Sequence, residues 1–324
     1  MMTKYKIGMF PIHPPFQSLL SKTGHEFCIV EGFNGVYWSQ RKNPVLGSAA
    51  RPKPENFTFV SYDDFLHGNL DLDLLLIQSP EHISTHGFND KYLVGFSWHQ
   101  IFDINKSNLK IIGQRPIAYE TSTNMTIREQ DRFVMMGYDP RDYQQRSYDD
   151  LDTYKNKLLF PINCFKRHSG ILNGALTGYD WINVIKDNPM LTMCGWNPEY
   201  DGHCEEYNWD DYRYYLSNAS AIFKPCPHKH RSNVIADAMC SNQVIITRPN
   251  VKYKNNNAFL EHGYNAHFVN TPQEFNSLLK DGEIALKKSY QKMIGENALL
   301  TIYEKWGTER MVNSWNNYFE YIIG

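Results

Sequence analysis

At 324 residues the chain is longer than one small core needs, and a prior of about 150 residues per domain gives two. Hydrophobic residues make up 42% and charged residues 21%, which is enough apolar material for packed cores and too little charge for disorder. Thirty-three basic side chains against thirty-five acidic leave a formal charge of -2, so no global field draws the chain to nucleic acid or anionic lipid. The apolar runs fall short of the ~20 residues that cross a bilayer, so no integral membrane contact is expected.

The amino terminus runs into Pro11, His13, Pro14 and Pro15 without a long apolar stretch or a small-residue cleavage site. A cytoplasmic protein is the expectation, in the host cytoplasm if viral. The cysteines are scattered without a CxxC pair and read as reduced thiols. A short strand over Tyr5–Pro11, a helix over Phe16–Ser21 stopped by Gly24, and a strand over Phe27–Val30 make a βαβ unit. Phe57–Val60, Leu72–Ile77, Leu109–Ile112 and Arg132–Met136 are short apolar runs bounded by Gly, Pro, Asp and Asn, as buried parallel strands should be. Asp71-Leu72-Asp73 precedes an apolar strand and reads as a turn, not a divalent-ion clamp.

From Gly137 to Lys157 the chain is polar, rich in Tyr and Asp and without apolar periodicity, the pattern of a linker. The α/β pattern then restarts. Strands are expected at Leu158–Ile162, Met190–Cys194, Ala221–Phe223, Val244–Thr247 and His267–Val269, with helices at Tyr179–Lys186, Asp211–Leu216 and Ser232–Cys240. Helices then follow over Pro272–Leu279, Glu283–Ile294, Thr301–Trp306 and Thr308–Ile323. The expected division is one α/β domain over 1–150, a second over 151–305, and a final helix over 306–324.

The densest chemistry lies between Ala221 and Ile246. A strand ends at Phe223, a loop carries Lys229, His230 and Arg231, and Ser232 or Asn233 caps a helix whose free N–H groups form an anion site. An ordinary capped helix fits the same local residues. Asp237 follows Ser232 by five positions and can reach a ribose. Lys166 and Arg167, after the Leu158–Ile162 strand, read by themselves as a solvated turn beside Gly170. His13 and Gln17 follow the first strand and His82 follows Leu74–Ile77, where open α/β sheets place ligands. No Cys/His pair has zinc spacing, and no metal is expected.

Asp237-Ala238-Met239-Cys240-Ser241-Asn242-Gln243-Val244-Ile245 is similar to the Glu-Ala-Met-Ala-Cys-Gly-x-Pro-Val-Ile signature of the large retaining, Glu-x7-Glu-bearing family of nucleotide-sugar glycosyltransferases, the group 1 or family 4-like enzymes of GT-B fold. Trp209–Phe223 resembles the helix and strand ahead of the donor site, and Glu261-His262-Gly263-Tyr264-Asn265 resembles the family's Glu-Asn-Gly-x-Asn-Gly segment. Three positions depart from the pattern: Asp237 stands for the second Glu, Asn242 for a Gly, and Lys229 for the first Glu.

The resemblance implies two Rossmann-like domains facing across a cleft, 1–150 binding the acceptor and 151–305 the nucleotide sugar, with the closing helix 306–324 returning to the first. It also implies transfer of a hexosyl or pentosyl group from a UDP- or GDP-sugar to an acceptor hydroxyl with retention, and no tightly bound cofactor. Arg167, Lys166 and His13 then serve catalysis, while Arg231, Ser232, Asn233, Asp237, Lys229 and His230 bind the donor. Gln17 and His82 meet the acceptor. That acceptor is a glycan or, given an Asn-, Tyr- and Lys-rich composition of phage flavour, a 5-hydroxymethylated base in DNA. A non-catalytic GT-B-like binding protein for nucleotide or glycan is the alternative, and the oligomeric state is open.

Overall fold

The computed structural model describes residues 3–11, 14–33, 38, 51–78, 92–98, 112, 115, 117–119, 128–148, 158–161, 181, 185, 187–188, 190–194, 208–224, 233–249, 259–280 and 283–324. The chain forms two compact units. The first comprises Met1–Arg41, Ala50–Gly137 and Thr308–Gly324, and the second is built on Tyr138–Gly307.

The first unit is a seven-stranded sheet of β1 (Lys6–Met9), β2 (Glu26–Glu31), β3 (Phe57–Ser61), β4 (Leu74–Ile77), β5 (Val94–Trp98), β6 (Ile117–Tyr119) and β7 (Arg132–Phe133). Its order is β3-β2-β1-β4-β5-β6-β7, and every neighbouring pair is parallel. Such sheets are covered on both faces, so both alternating sets of side chains are apolar. Ile7, Met9, Ile29, Leu74 and Leu76 face one core, and Val30, Leu75, Ile77, Val94 and Phe96 face the other. Helix α1 (Pro14–Leu20) starts on a proline, whose missing N–H is an orphan at that position anyway, and buries Phe16, Leu19 and Leu20. Helix α2 (Tyr62–Leu66) is capped by Ser61, whose side chain accepts from the Asp64 N–H.

The second unit holds a five-stranded sheet of β8 (Leu158–Pro161), β9 (Leu191–Cys194), β10 (Ala221–Lys224), β11 (Ile245–Thr247) and β12 (His267–Phe268), in the order β12-β11-β10-β8-β9 and parallel throughout. Helix α3 (Trp209–Asn218) is capped by Asn208, whose side chain accepts from the Asp211 N–H at 2.9 Å. Helix α4 (Asn233–Cys240) lies in a core that also takes Trp209, Tyr212, Ala298 and Ile302. Helix α5 (Pro272–Ser277) leads into a hairpin of β13 (Leu279–Lys280) and β14 (Glu283–Ile284), and α6 (Lys288–Trp306) ends the unit. Among the described residues no helix is long and apolar enough to cross a membrane.

The closing helix α7 (Thr308–Ile323) buries Met311, Trp315, Tyr318 and Phe319 against β1, β2 and α1 of the first unit. Burying side chains of this size stabilises by about 2–3 kcal/mol each.

The structure revises several expectations. Of the strand expected at Leu109–Ile112 only Ile112 is described, and it is helical, while β5 and β6 supply strands on either side of it in sequence. A short apolar run looks the same in a buried helix as in a strand. Only Arg132–Phe133 of the expected Arg132–Met136 run is strand. The helix expected from Glu283 opens instead with the β13–β14 hairpin and continues as the single helix α6 in place of two. The unit boundary falls at Gly137–Tyr138, ahead of the segment read as a linker, because Tyr138 and Tyr143 are core residues of the second unit.

Candidate functional site

In an open parallel sheet the ligand crevice lies beyond the carboxyl ends of the two strands where the order reverses. In the second unit the chain steps from β8 outward to β9, then returns to β8's other side as β10, so the reversal falls between β8 and β10. These strands end at Pro161 and Lys224. Lys166 and Arg167 belong to the segment that leaves β8, and Lys229, His230, Arg231 and Ser232 to the segment that leaves β10 and enters α4 at Asn233. In the first unit the reversal is between β1 and β4, and His13 and His82 follow those two strands in sequence. Apart from Asn233, which opens α4, all of these candidates lie outside the described residues.

Asp237, one turn into α4, is 2% exposed. Its Oδ1 accepts from the Tyr143 hydroxyl at 2.5 Å and its Oδ2 from the Tyr212 hydroxyl at 3.1 Å. The carboxylate that the resemblance assigns to a ribose therefore faces the core, held by the segment after Gly137 and by α3. A hydroxyl donor to each oxygen makes a buried charge tolerable there.

The last turn of α4 is closed by that same segment. Gln145 Nε2 donates to the Cys240 carbonyl at 2.7 Å, the Arg146 N–H to Ser241 at 2.9 Å, and the Tyr148 hydroxyl to Asn242 at 2.8 Å, which satisfies carbonyls a helix end leaves open. Arg146, 4% exposed, also donates to the carbonyls of Ala219 and Ser220, at 2.6 and 2.8 Å, and to Gln243 Oε1. Asn242 has φ +57, the left-handed conformation that ends helices. The family's glycine at this place is explained by that angle, and asparagine is the residue that tolerates it next best.

Two cations at the carboxyl edge of the second sheet escaped the sequence reading. Lys224 is the last residue of β10, 8% exposed, and its carbonyl accepts from Thr247 Oγ1 of β11 at 2.7 Å. Arg248 follows β11 with its guanidinium 4.9 Å from the centre of the Trp181 ring. A lysine closing an apolar strand immediately before Pro225 was the available signal.

Gln17, expected at the acceptor, is fully buried and donates through Nε2 to the Phe10 carbonyl at 2.7 Å, so its amide braces the turn after β1. Asp73 accepts from the Lys6 N–H at 2.7 Å, the role of a turn residue. In the Glu261–Asn265 segment Gly263 takes φ +78, and the buried Asn265 accepts from the Glu261 N–H at 2.8 Å and donates to Thr301 Oγ1 at 3.0 Å. These family-like residues are thus turn builders. Beside them, burial and the neighbouring His262 hold His267 below the ordinary histidine range. The Asn270 N–H, donating at 2.7 Å, holds Glu274 below the ordinary carboxylate range.

No family model matches the sequence, and no curated protein does. Solved structures match its fold. HepE of Anabaena, crystallised in complex with UDP and glucose, superposes with a TM-score of 0.68 at 10% identity over 98% of this chain and 99% of its own. Sucrose-phosphate synthase of Thermosynechococcus elongatus gives 0.60 at 9% over 98% of both chains. A glycosyltransferase of Rickettsia africae gives 0.56 at 10% over 99% of both. With two parallel Rossmann-like sheets, each with its own reversal point, and with these likenesses running almost end to end, the chain has the GT-B fold of the nucleotide-sugar glycosyltransferases.

Proposed function

We propose that the chain is a glycosyltransferase that moves a sugar from a nucleoside diphosphate donor to the hydroxyl of a glycan acceptor, with retention at the anomeric carbon. The observation that carries this reading is the reversal between β8 and β10. It brings together, at one edge of one sheet, the starts of the two segments that bear Lys166-Arg167 and Lys229-His230-Arg231-Ser232. The UDP bound to a structural neighbour of the same fold supports a uridine nucleotide as the donor.

In this reading the diphosphate meets the N–H groups at the start of α4, at Ser232 and Asn233, where the helix dipole favours negative charge. Arg167 and Lys166 offset the charge that grows on the departing oxygen, and this stabilisation counts most in the transition state. The bond from the anomeric carbon to the phosphate oxygen breaks, the bond to the acceptor oxygen forms, and the leaving diphosphate takes the acceptor's proton. Lys229, His230 and Arg231 line the donor side, and His13 and His82 the acceptor side. Asp237 holds α4 in place through Tyr143 and Tyr212 and does not touch the ribose.

The test is nucleoside diphosphate release, read by mass spectrometry, from UDP-, GDP-, ADP- and dTDP-sugars with and without glycan or hydroxymethylcytosine DNA. Release that needs a glycan supports the proposal, and release that needs the DNA replaces its acceptor. Silence across the panel from folded protein overturns it in favour of a binding protein.

A further inference from the structure

We propose that Gln78 and Ser97 of the first unit form a hydroxyl-binding subsite that selects a neutral acceptor; the word acceptor rests on the function proposed above, and the site itself does not. Gln78 is the first residue beyond β4, and Ser97 lies inside β5. The register pairs Leu76 with Gly95 and Ile77 with Phe96, so its next step sets Gln78 opposite Ser97. Ser97 in turn pairs with Ala118, a residue of the core that also holds Met9 and Leu76. Gln78 Nε2 lies 3.7 Å from Met9 Sδ, which places its amide on that same face.

Both side chains are buried, at 3% and 1% exposure. Yet Gln78 Oε1 and Ser97 Oγ have no hydrogen-bond partner among the described residues, and the Met9 sulfur is at best a weak acceptor for the amide. Each such group costs about 1–3 kcal/mol, and folded proteins leave few of them. Two side by side on one face are a stronger sign than either alone. They also lie where topology puts a ligand, since the order of this sheet reverses between β1 and β4, and Gln78 stands at the carboxyl end of β4 beside Met9 of β1.

The chemistry of the pair chooses the ligand. A carboxamide oxygen only accepts, and a serine hydroxyl both donates and accepts. One hydroxyl satisfies both, giving its proton to Gln78 Oε1 and taking the Ser97 proton on its oxygen. An ionised phosphate has no proton to give and sets negative oxygens against the Gln78 carbonyl. A sugar hydroxyl and a trapped water share the required chemistry, and the experiment separates them.

The full chain and its Gln78→Met and Ser97→Ala variants are applied to an array of neutral and anionic oligosaccharides, with UDP affinity by calorimetry and the thermal midpoint alongside. Neutral glycans bind the unsubstituted chain, each variant loses about tenfold of that binding, the expected size of one lost hydrogen bond, and UDP affinity stays within about twofold. Both variants remove a buried unpaired group, so their midpoints hold or rise. Undiminished glycan binding in the variants, preference for anionic glycans, or no glycan binding at all overturns the subsite. Lower midpoints with unchanged glycan binding assign the pair to a structural water. Failure of UDP to bind counts against the donor reading and leaves the glycan arm to decide this one.

Discussion

The Tyr143 hydroxyl donates to Asp237 Oδ1 at 2.5 Å across 94 residues of chain, and joins the segment that follows the unit boundary to the helix that carries the family-like signature. Tyr212 completes the arrangement from α3. Removing the carboxylate takes a hydrogen bond from each of two buried hydroxyls, at about 1–3 kcal/mol each. Asp237→Ala is therefore expected to lower unfolding stability by roughly 2–5 kcal/mol, and Tyr143→Phe by roughly 1–3 kcal/mol. Urea unfolding of the two single variants and the double variant gives their coupling. Additive effects show that the pair does not interact. A large loss of UDP affinity in Asp237→Asn at unchanged stability returns Asp237 to the ribose.

Asn242 supplies a second, smaller test. At φ +57 glycine carries no Cβ penalty, whereas other residues lose roughly 1–2 kcal/mol in the left-handed region. Asn242→Gly is expected to leave stability within about 0.5 kcal/mol and Asn242→Ala to lower it by about 1 kcal/mol. Equal midpoints for the two variants contradict the conformational argument.

Much of the scaffold was legible because its signals are local. The apolar run Ala221–Phe223, the helix signal from Ser232 to Cys240 and the helix expected over Thr308–Ile323 all return as elements within a residue or two. Strand β5 was not legible, since Val-Gly-Phe-Ser-Trp places a glycine and a serine in a buried strand for reasons that lie elsewhere in the chain. A Cβ on Gly95 would sit 3.2 Å from the Tyr318 hydroxyl, which donates to the Phe96 carbonyl and accepts from its N–H. The segment from Tyr138 to Tyr148 reads as a linker for the same kind of reason. Gln145 and Arg146 are polar in sequence, and their partners, Cys240, Ser241 and Gln243, are about a hundred residues away. The signature marked α4 as the helix of interest, but the burial of Asp237 depends on Tyr143, inside the segment read as a linker.

Gly295, in the middle of α6, is fixed by a close approach. A Cβ there would overlap the Tyr148 hydroxyl and lie 2.6 Å from the Asn242 carbonyl. Alanine gains about 1 kcal/mol in helix propensity, but overpacking against a backbone carbonyl costs about 1–3 kcal/mol, and the carbonyl cannot swing aside. Gly295→Ala is expected to destabilise, and adding Tyr148→Phe should recover the part of the loss due to the hydroxyl. A Gly295→Ala variant that unfolds at higher urea than the parent refutes the contact.

His25 sets the stability of the first unit against acid. The Tyr5 N–H donates to its Nδ1 at 3.2 Å, so the proton sits on Nε2 and is given to Asn316 Oδ1 at 3.0 Å. Protonating Nδ1 would set its new N–H against the Tyr5 N–H, and burial already lowers the pKa from the ordinary 6.5. In the window between the lowered folded value and 6.5 the unfolded chain binds more protons, so stability is complete above 6.5 and falls as pH falls. His267, also lowered, acts in the same direction. Glu274, lowered from 4.5, adds its loss only below that pH, which separates the carboxylate from the histidines. Urea midpoints measured from pH 7.5 down to about 5 should decline in the parent and decline less in His25→Gln, with the remainder assigned to His267. Parallel declines in parent and variant would show that the Tyr5–His25–Asn316 chain carries none of the acid sensitivity.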